Sequence, residues 1–279
     1  MIKIGDYNTL EVKRKTNFGY FLDVKTNNSK DDILLHNRLV GKNKVEVGDK
    51  VNAFIYKDSE DRPSATLIYP KATVGQIAYL KVVAHTKIGS FIDIGLPKDI
   101  LVPFKAKTYE LEKGHRYPFY IYLDKTGRLA ATTDIDQYLT TDHEYNIGDS
   151  VTGVVYGFQT NNSAMVCVDN KYAGVILHNE YFEDLKIGDE LNLKVIKIYE
   201  DDKLGLTPRQ DRKEELDILE NKILSYLEGA DDSMRFNDKS TPDEIAKVFN
   251  SSKKNFKRAL GVLMKKNLIS QDENGTYLK

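Results

Sequence analysis

Apolar residues recur at every second position through most of the first three quarters of the chain. Leu191, Leu193 and Val195, for example, alternate with polar residues. This is the period of a β-strand that buries one face. Turn-forming clusters such as 96–99 and 161–163 separate these stretches. The pattern predicts many short strands joined by turns.

The same markers recur three times in the same order. Each repeat opens with glycine flanked by an apolar and a polar residue, at 4–6, 74–76 and 147–149. Each then reaches an apolar strand that ends in Ile-Tyr-x-Asp, at 55–58, 121–124 and 198–201. About 70 residues with roughly five short strands suit a small closed barrel, which leaves no open sheet edge. We therefore predict three β-barrels, at residues 1–70, 71–138 and 139–211.

The period changes from about residue 211 onward, where Leu216, Leu219, Ile223 and Leu227 follow helical spacing. Thr241-Pro242-Asp243-Glu244 is a helix start that contains a capping box. A second apolar stripe, which includes Phe256, Leu260 and Leu263, ends at Asn267 and is followed by a hairpin turn at 273–275. Helix, short helix, helix and hairpin predict an α+β winged-helix domain at 212–279.

Charge is unevenly distributed along the chain, although the net charge is only −1. The three predicted barrels carry +2, +3 and −7, and the winged helix carries +1. Because phosphates repel carboxylates, the third barrel is the poorest electrostatic partner for nucleic acid. A single cysteine, Cys167, excludes an internal disulfide framework. No apolar run approaches a membrane span and no secretory signal opens the chain, so we expect a cytoplasmic protein.

Catalytic motifs are missing from the sequence. The five histidines show no metal-ligand spacing, and neither a phosphate-binding loop nor a Gly-x-Ser-x-Gly elbow occurs. The acidic pairs 31–32, 201–202 and 231–232 lie in predicted turns, where carboxylates are usually solvated. We expect neither catalysis nor a cofactor nor a metal; a nuclease would require acids from different strands to converge.

The repeats resemble the S-one motif, an RNA-binding barrel of the oligonucleotide-binding (OB) type. Residues 148–155 resemble its first strand, residues 174–178 its third, and Gly89-Ser90-Phe91-Ile92 its Gly-Ala-Phe-Val strand. Three such barrels followed by a winged helix resemble the bacterial family called conserved virulence factor B. The resemblance implies a cytoplasmic, non-catalytic regulator that binds RNA and acts after transcription, with a role in the expression of virulence factors.

The resemblance also implies which residues face RNA: two aromatic residues on strand two, a histidine after strand three, and an Asp-x-x-x-Arg sequence before the last strand. The first repeat supplies Phe18, Phe21, His36, Asp58 and Arg62. The second supplies Phe91, Asp124 and Arg128, with Ile88 and Pro103 at the remaining positions. The third supplies His178 and Lys203, with Asn162, Met165 and Tyr199 at the others.

The two phenylalanines of the first repeat raise a geometric question. Residues three apart lie on opposite faces of a regular strand, so Phe18 and Phe21 share a face only if the strand bends. Gly19 between them permits a bend. Because phenylalanine in a strand is more often core than ligand platform, the sequence leaves open whether one ring is buried. For Phe91 we expect exposure, on the resemblance alone.

The winged helix contains the densest basic cluster: Lys253, Lys254, Lys257, Arg258, Lys265 and Lys266. Residues 250–271 include no carboxylate, which favours a nucleic-acid contact over an ordinary solvated face. RNA, preferably single-stranded, is the first predicted partner, and no membrane is expected. Two alternatives stay open: a DNA-binding transcription regulator that acts through the winged helix, and a protein-interaction scaffold whose third barrel docks a basic partner.

Overall fold

The computed structural model describes residues 2–26, 28–181, 184–208 and 212–279, with the backbone alone at 212–215. These residues form three closed five-stranded barrels followed by a domain of three helices and a three-stranded sheet. The predicted fold class is therefore confirmed. The predicted boundary between the third barrel and the winged helix, at residue 211, lies outside the described residues.

Each barrel uses five strands in the same chain order. The strands of the first barrel are β1 Asp6–Lys15, β2 Gly19–Asp23, β3 Ile33–His36, β4 Lys50–Lys57 and β5 Pro63–Thr66. Those of the second are β6 Ile77–Thr86, β7 Gly89–Asp93, β8 Ile100–Pro103, β9 Arg116–Leu123 and β10 Leu129–Thr132. Those of the third are β11 Ser150–Phe158, β12 Ala164–Val168, β13 Tyr172–Ile176, β14 Glu190–Ile198 and β15 Leu204–Thr207.

The first strand of each barrel bends so that it can pair with two neighbours. β1 pairs with β2 near its end and with β4 from its beginning, and β6 and β11 do the same in their barrels. The register against the second strand shifts at the same place in all three, between Val12 and Arg14, Val82 and Ala84, and Val155 and Gly157. Such a bulge strengthens the local twist and redirects the side chains that follow it.

A single 3₁₀ turn follows the third strand of each barrel. The turns are Asn37–Leu39, Phe104–Ala106 and His178–Glu180. The residues that precede them in extended conformation are His36, Pro103 and Leu177. Because the turn occupies the same place in each barrel, it identifies which residues of the three barrels are structurally equivalent.

The C-terminal domain has the elements of a winged helix. They are α1 Arg212–Glu228, β16 Ser233–Met234, α2 Pro242–Phe249, α3 Lys253–Lys265, β17 Ile269–Gln271 and β18 Thr276–Leu278. The Thr241 side chain accepts from the Glu244 N–H while the Glu244 carboxylate accepts from the Thr241 N–H, so the predicted capping box is confirmed. Ser252 caps α3, and Asn267 adopts a left-handed conformation just after it. β16, which pairs with β18, was not predicted.

Every domain has its own apolar core. Leu22, Leu35 and Ile55 are completely buried in the first barrel, and Phe249 packs on Phe256 in the winged helix with ring centroids 4.8 Å apart. Burial of these side chains provides most of the stabilisation of each unit. None of the described helices combines the length and apolar character that a membrane-spanning helix needs.

The barrels also contact one another. Between the first two, the Val74 N–H donates to the Gly5 carbonyl at 2.9 Å. Between the second and third, the Tyr79 hydroxyl donates to the Gly188 carbonyl at 2.7 Å. Cys167 lies in an apolar cluster with Ile77 and other residues from the second and third barrels. Burial raises the pKa of the Cys167 thiol to about 12.

Candidate nucleic-acid interface

The aromatic positions chosen from the sequence are structurally equivalent. Phe21, Phe91 and Met165 each lie on the second strand of a barrel, opposite the residue that follows the bulge in the first strand. Those opposite residues are Arg14, Ala84 and Gly157. The three barrels have the same backbone pairing at this position but different side chains. Their surfaces therefore differ chemically at equivalent positions.

In the first barrel, Phe18 and Phe21 lie on the same side. Phe18 is 50% exposed and Phe21 is partly buried, and neither belongs to the apolar core. Their ring centroids are 6.1 Å apart with the planes nearly perpendicular. Phe18 precedes the first residue of β2, so strand alternation does not apply to it. The question left open by the sequence is thus settled in favour of two rings outside the core.

Arg14 covers one face of Phe21 and was not among the residues selected from the sequence. Its guanidinium carbon lies 3.7 Å from the centroid of the Phe21 ring, a cation–π contact. Its Nε lies 3.8 Å from a carboxylate oxygen of Asp32, and Lys13 Nζ lies 3.5 Å from the other. The Asp32 side chain is almost completely buried, and among the described residues its oxygens accept no hydrogen bond. The buried Asp32 carboxylate therefore lies within ion-pair distance of both cations, and Arg14 spans the space between it and the Phe21 ring.

His36 stands at the end of β3, next to the start of β2, where it pairs with Gly19. Its Nδ1 accepts from the Arg38 N–H at 3.4 Å and so caps the 3₁₀ turn. Acceptance at Nδ1 assigns the proton of a neutral ring to Nε2, which is then a donor. His36 can therefore offer a hydrogen bond to a phosphate or to a base edge.

The second barrel presents aromatic side chains without an arginine cover. Phe91 is partly buried, lies outside the core, and faces Ala84, which is too short to cover the ring. Phe104, at the start of the 3₁₀ turn, is 54% exposed, and Lys107 Nζ lies 5.0 Å from its ring centroid. Phe104 was missed because the resemblance points to the residue before it, Pro103.

In the third barrel, His178 does not occupy the position of His36. The strand register and the 3₁₀ turn make Leu177 the equivalent of His36, and His178 the equivalent of Phe104. His178 is exposed, with its ring centroid 5.6 Å from that of Tyr181. Phe158, at the end of β11, is another exposed ring that the sequence analysis did not select.

The predicted Asp-x-x-x-Arg sequences form the loop between the fourth and fifth strands. The backbone N–H of Asp58, Asp124 and Tyr199 donates to the carbonyl of Arg62, Arg128 and Lys203, at 2.9, 2.8 and 3.0 Å. The three loops therefore share one conformation. Their side chains do not share one set of partners.

Arg62 stays within its own loop. Its guanidinium donates to Asp58 at 3.0 Å and lies 2.9 Å from a Glu60 oxygen. Partial burial raises the pKa of Asp58, but N–H donors from Glu60 and Arg62 and the guanidinium charge outweigh it and lower the pKa. Asp58 thus remains a carboxylate that holds Arg62. Lys203 similarly lies 3.7 Å from Asp201.

Arg128 leaves its loop altogether. Asp124 accepts from the Thr126 hydroxyl and from the backbone N–H of Thr126 and Arg128, whereas the Arg128 guanidinium pairs with Asp61 of the first barrel. Arg62 and Arg128, both expected at the RNA surface, are therefore each engaged by carboxylates. Residues from different barrels meet here, which a repeat-by-repeat comparison does not reveal.

The cations of α3 fall into two groups. Lys257 pairs with Asp238 at 3.2 Å, Lys266 pairs with the buried Glu220 at 2.6 Å, and Lys253 donates to a backbone carbonyl. Lys254, Arg258 and Lys265 are exposed, and none of them forms an ion pair within the described part of the chain. They share one helix face, which we call the α3 basic face. Although residues 250–271 contain no carboxylate, two of their lysines pair with carboxylates that lie outside this stretch.

The wing beside this helix is acidic at its tip. The Asp272 carboxylate accepts from the N–H groups of Asn274 and Gly275, at 2.7 and 3.0 Å. Glu273 follows Asp272 in the same turn. Carboxylates repel phosphates. Across the described residues, no group of three or more His, Cys, Asp or Glu side chains could hold a metal ion.

Family models match most of the chain. The S1 domain model, which is the S-one motif, matches residues 4–67 and 74–134, and a CvfB-like winged helix domain model matches residues 221–278. The first two barrels and the C-terminal domain are therefore of nucleic-acid-binding types.

Related proteins extend over nearly the whole chain. The uncharacterized protein YitL of Bacillus subtilis is 32% identical, covering 99% of this chain and 93% of its own length. Conserved virulence factor B of Staphylococcus aureus is 26% identical, covering 96% of this chain and 91% of its own length. A crystal structure from Streptococcus pneumoniae, described as a multidomain protein with nucleic acid binding domains, has a TM-score of 0.52 and 26% identity, over 99% of this chain and 98% of that one.

Proposed function

The chain belongs to the conserved virulence factor B family, and on that premise we propose that it is a non-catalytic RNA-binding protein. It regulates gene expression after transcription, through the stability or translation of the RNA it binds. Single-stranded RNA is the preferred ligand. By the name of its staphylococcal relatives, the regulated genes include virulence factors.

One observation carries the proposal: the second strands of two consecutive barrels keep aromatic rings outside the core. Phe21 and Phe91 lie on these strands and Phe18 directly precedes the first of them. Phe104 is a further exposed ring, directly after the third strand of the second barrel. Single-stranded nucleic acid binds OB-type barrels by stacking bases on such rings, at about 1–3 kcal/mol for each base. Stacking accepts any base, so the preference for sequence is weak.

Cations complete this surface in the first barrel. Arg14 offers a guanidinium plane above Phe21, and arginine planes accept stacked bases as aromatic rings do. His36 adds a hydrogen-bond donor at the end of β3. Arg62 and Arg128 contribute indirectly, because their charges are already opposed by Asp58, Glu60 and Asp61.

The winged helix adds a second contact through the α3 basic face, Lys254, Arg258 and Lys265. The third barrel, with a net charge of −7, acts mainly as a spacer. The acidic tip of the wing favours RNA over duplex DNA as the ligand, since a wing that lies against a duplex brings Asp272 and Glu273 toward phosphates.

Competition binding tests the proposal on the full chain. Labelled single-stranded RNA is displaced by RNA homopolymers and by random duplex DNA at about 150 mM salt, where phosphate contacts are partly screened. We expect the RNA competitors to displace the label at lower concentration than the duplex. Preference for the duplex would support a transcription regulator instead. Absence of nucleic-acid binding, together with specific capture of one basic protein, would support the scaffold.

A further inference from the structure

The loops that connect the fourth and fifth strands of the first two barrels contact each other. They are residues 58–62 and 124–128. Arg128 donates through Nε and Nη2 to the two carboxylate oxygens of Asp61, at 2.5 and 2.7 Å. Lys57 Nζ donates to the Thr126 carbonyl at 2.5 Å. A bidentate ion pair and an ammonium–carbonyl bond therefore join the barrels at this point, which we call the loop clamp.

The loop clamp uses the same turn on both sides. Asp61 and Gly127 are equivalent residues, and both are left-handed, with φ of 62° and 75°. A Cβ on Gly127 would lie 3.3 Å from Lys57 Nζ, so the two loops are closely packed. Asp61 is thus the turn residue whose carboxylate reaches across the junction.

The energy of the clamp is small, and its geometric effect is larger. Arg128 and Asp61 side chains are both about half exposed, at 47% and 51%. Exposed ion pairs contribute little to stability, because water and salt screen them. Two parallel hydrogen bonds, however, fix direction as well as distance. Together with the bond from Val74 to Gly5, the clamp joins the barrels at two places and so limits their rotation.

We infer that Asp61 and Arg128 are positioning residues that hold the first two barrels as one composite site for a single RNA strand. A strand longer than the footprint of one barrel then contacts the rings of Phe18 and Phe21 and that of Phe91 together. The inference rests on the proposed function. Its structural basis is that the meeting loops lead into the fifth strands, β5 and β10. Each fifth strand pairs with the third strand of its barrel, which in turn pairs with the strand of Phe21 or Phe91.

Orientation matters because binding to the second barrel becomes intramolecular once the first is occupied. The gain depends on the effective concentration of the second site, which falls when the two sites are free to reorient. A short RNA that occupies one barrel cannot show this gain. The loop clamp therefore predicts an effect that depends on the length of the RNA.

The test compares uridine oligonucleotides of about 6 and about 18 nucleotides, chosen to occupy one barrel or both. Asp61→Gly introduces the residue that the second barrel has at this position, so the turn is kept while the carboxylate is lost. Arg128→Ala removes the partner. The double variant completes a thermodynamic cycle. Lys125→Ala is the control: it removes one exposed cation from the same loop, outside the clamp.

We expect each single variant to bind the longer RNA about fivefold more weakly than the wild type does. Asp61→Gly should bind the shorter RNA as the wild type does, and Arg128→Ala should weaken the longer RNA more than the shorter one. The double variant should lose no more than either single one. Lys125→Ala should not discriminate between the lengths. If Arg128→Ala weakens both lengths equally and Asp61→Gly weakens neither, Arg128 is a direct phosphate contact and the inference is wrong. Equal affinities of all variants would overturn it as well. Absence of binding by the wild type would instead reject the proposed function.

Discussion

The Arg14 guanidinium lies over the Phe21 ring, with its central carbon 3.7 Å from the ring centroid. The equivalent neighbours of Phe91 and Met165 are Ala84 and Gly157. The first barrel thus carries a cation on the place where the second carries an open ring. Under the proposed function, an RNA base that stacks here would meet arginine in one barrel and phenylalanine in the next.

Arg14→Ala should weaken RNA binding and reduce its salt dependence. Loss of one phosphate-neutralising charge lowers the slope of log affinity against log salt by about 0.7 for a single strand. Arg14→Lys should restore the slope and leave the affinity reduced, because lysine supplies charge without a planar surface. Titrations at several salt concentrations distinguish the two. Full recovery by lysine would show that the plane is unimportant.

Phe91→Ala should reduce RNA affinity by about 1–3 kcal/mol, the range for one stacked base. It should change thermal stability little, since the ring lies outside the core. Ile92→Ala is the matched control on the same strand. Ile92 is completely buried, so its truncation should destabilise the barrel by about 2–5 kcal/mol. If Phe91→Ala lowers the melting temperature as Ile92→Ala does, the ring is structural.

Lys254→Ala combined with Arg258→Ala should flatten the salt dependence of binding without unfolding the winged helix. Both cations belong to the α3 basic face and have no ion-pair partner among the described residues. Lys257→Ala should have a smaller effect, since Asp238 already opposes its charge at 3.2 Å. The slopes of log affinity against log salt provide the comparison. Equal slopes for the wild type, the double variant and Lys257→Ala would mean that α3 does not contact phosphate.

Gly261 lies exposed in the middle of α3, between Arg258 and Lys265 on the same face. A Cβ there would meet nothing within 4 Å, so packing does not require glycine. Gly261→Ala should stabilise the helix by about 1 kcal/mol. Gly261→Gln, whose longer side chain still favours a helix, should weaken RNA binding if the ligand approaches the backbone. All described α-helices belong to this domain, so the helical circular dichroism signal follows its stability. Unchanged affinity for Gly261→Gln would place the ligand elsewhere.

Lys266 and Lys265 are neighbouring cations that should differ in their contribution to thermal stability. The hydrogen bond to Glu220 raises the pKa of Lys266. The pair therefore stabilises the fold at pH below about 10.4, the ordinary lysine value, and this contribution is lost as pH rises through the raised value. Lys266→Ala should lower the melting temperature at neutral pH, and the difference should shrink in alkaline solution. Lys265→Ala should leave the melting temperature unchanged at both. A constant difference would mean that the charge of Lys266 is irrelevant.

The fold was largely accessible from the sequence because it depends on local patterns that repeat. Three copies of the same markers specified the barrels, and Thr241 with Glu244 specified the start of α2. The equivalence of Phe21 and Phe91 also followed, since both occupy the same place relative to a glycine. β16 escaped prediction because two residues are too few to show a period.

The site was less accessible because its chemistry comes from contacts across the chain. Arg14 reaches Phe21 only after the bulge has shifted the register. Arg128 and Asp61 are 67 residues apart and belong to different repeats. A one-residue displacement put Leu177, and not His178, at the position of His36. Such relationships depend on how strands and barrels pack against one another. The pattern of residues within one stretch of sequence does not indicate this packing.

The burial of Cys167 makes the chain a convenient object for labelling. Its thiol is the only one in the sequence, and with a pKa of about 12 it stays protonated and enclosed at neutral pH. A maleimide or spin label should therefore react with a newly introduced surface cysteine and ignore the native one. Pairs of probes on separate barrels can then report their spacing in solution without first removing a residue from an interface.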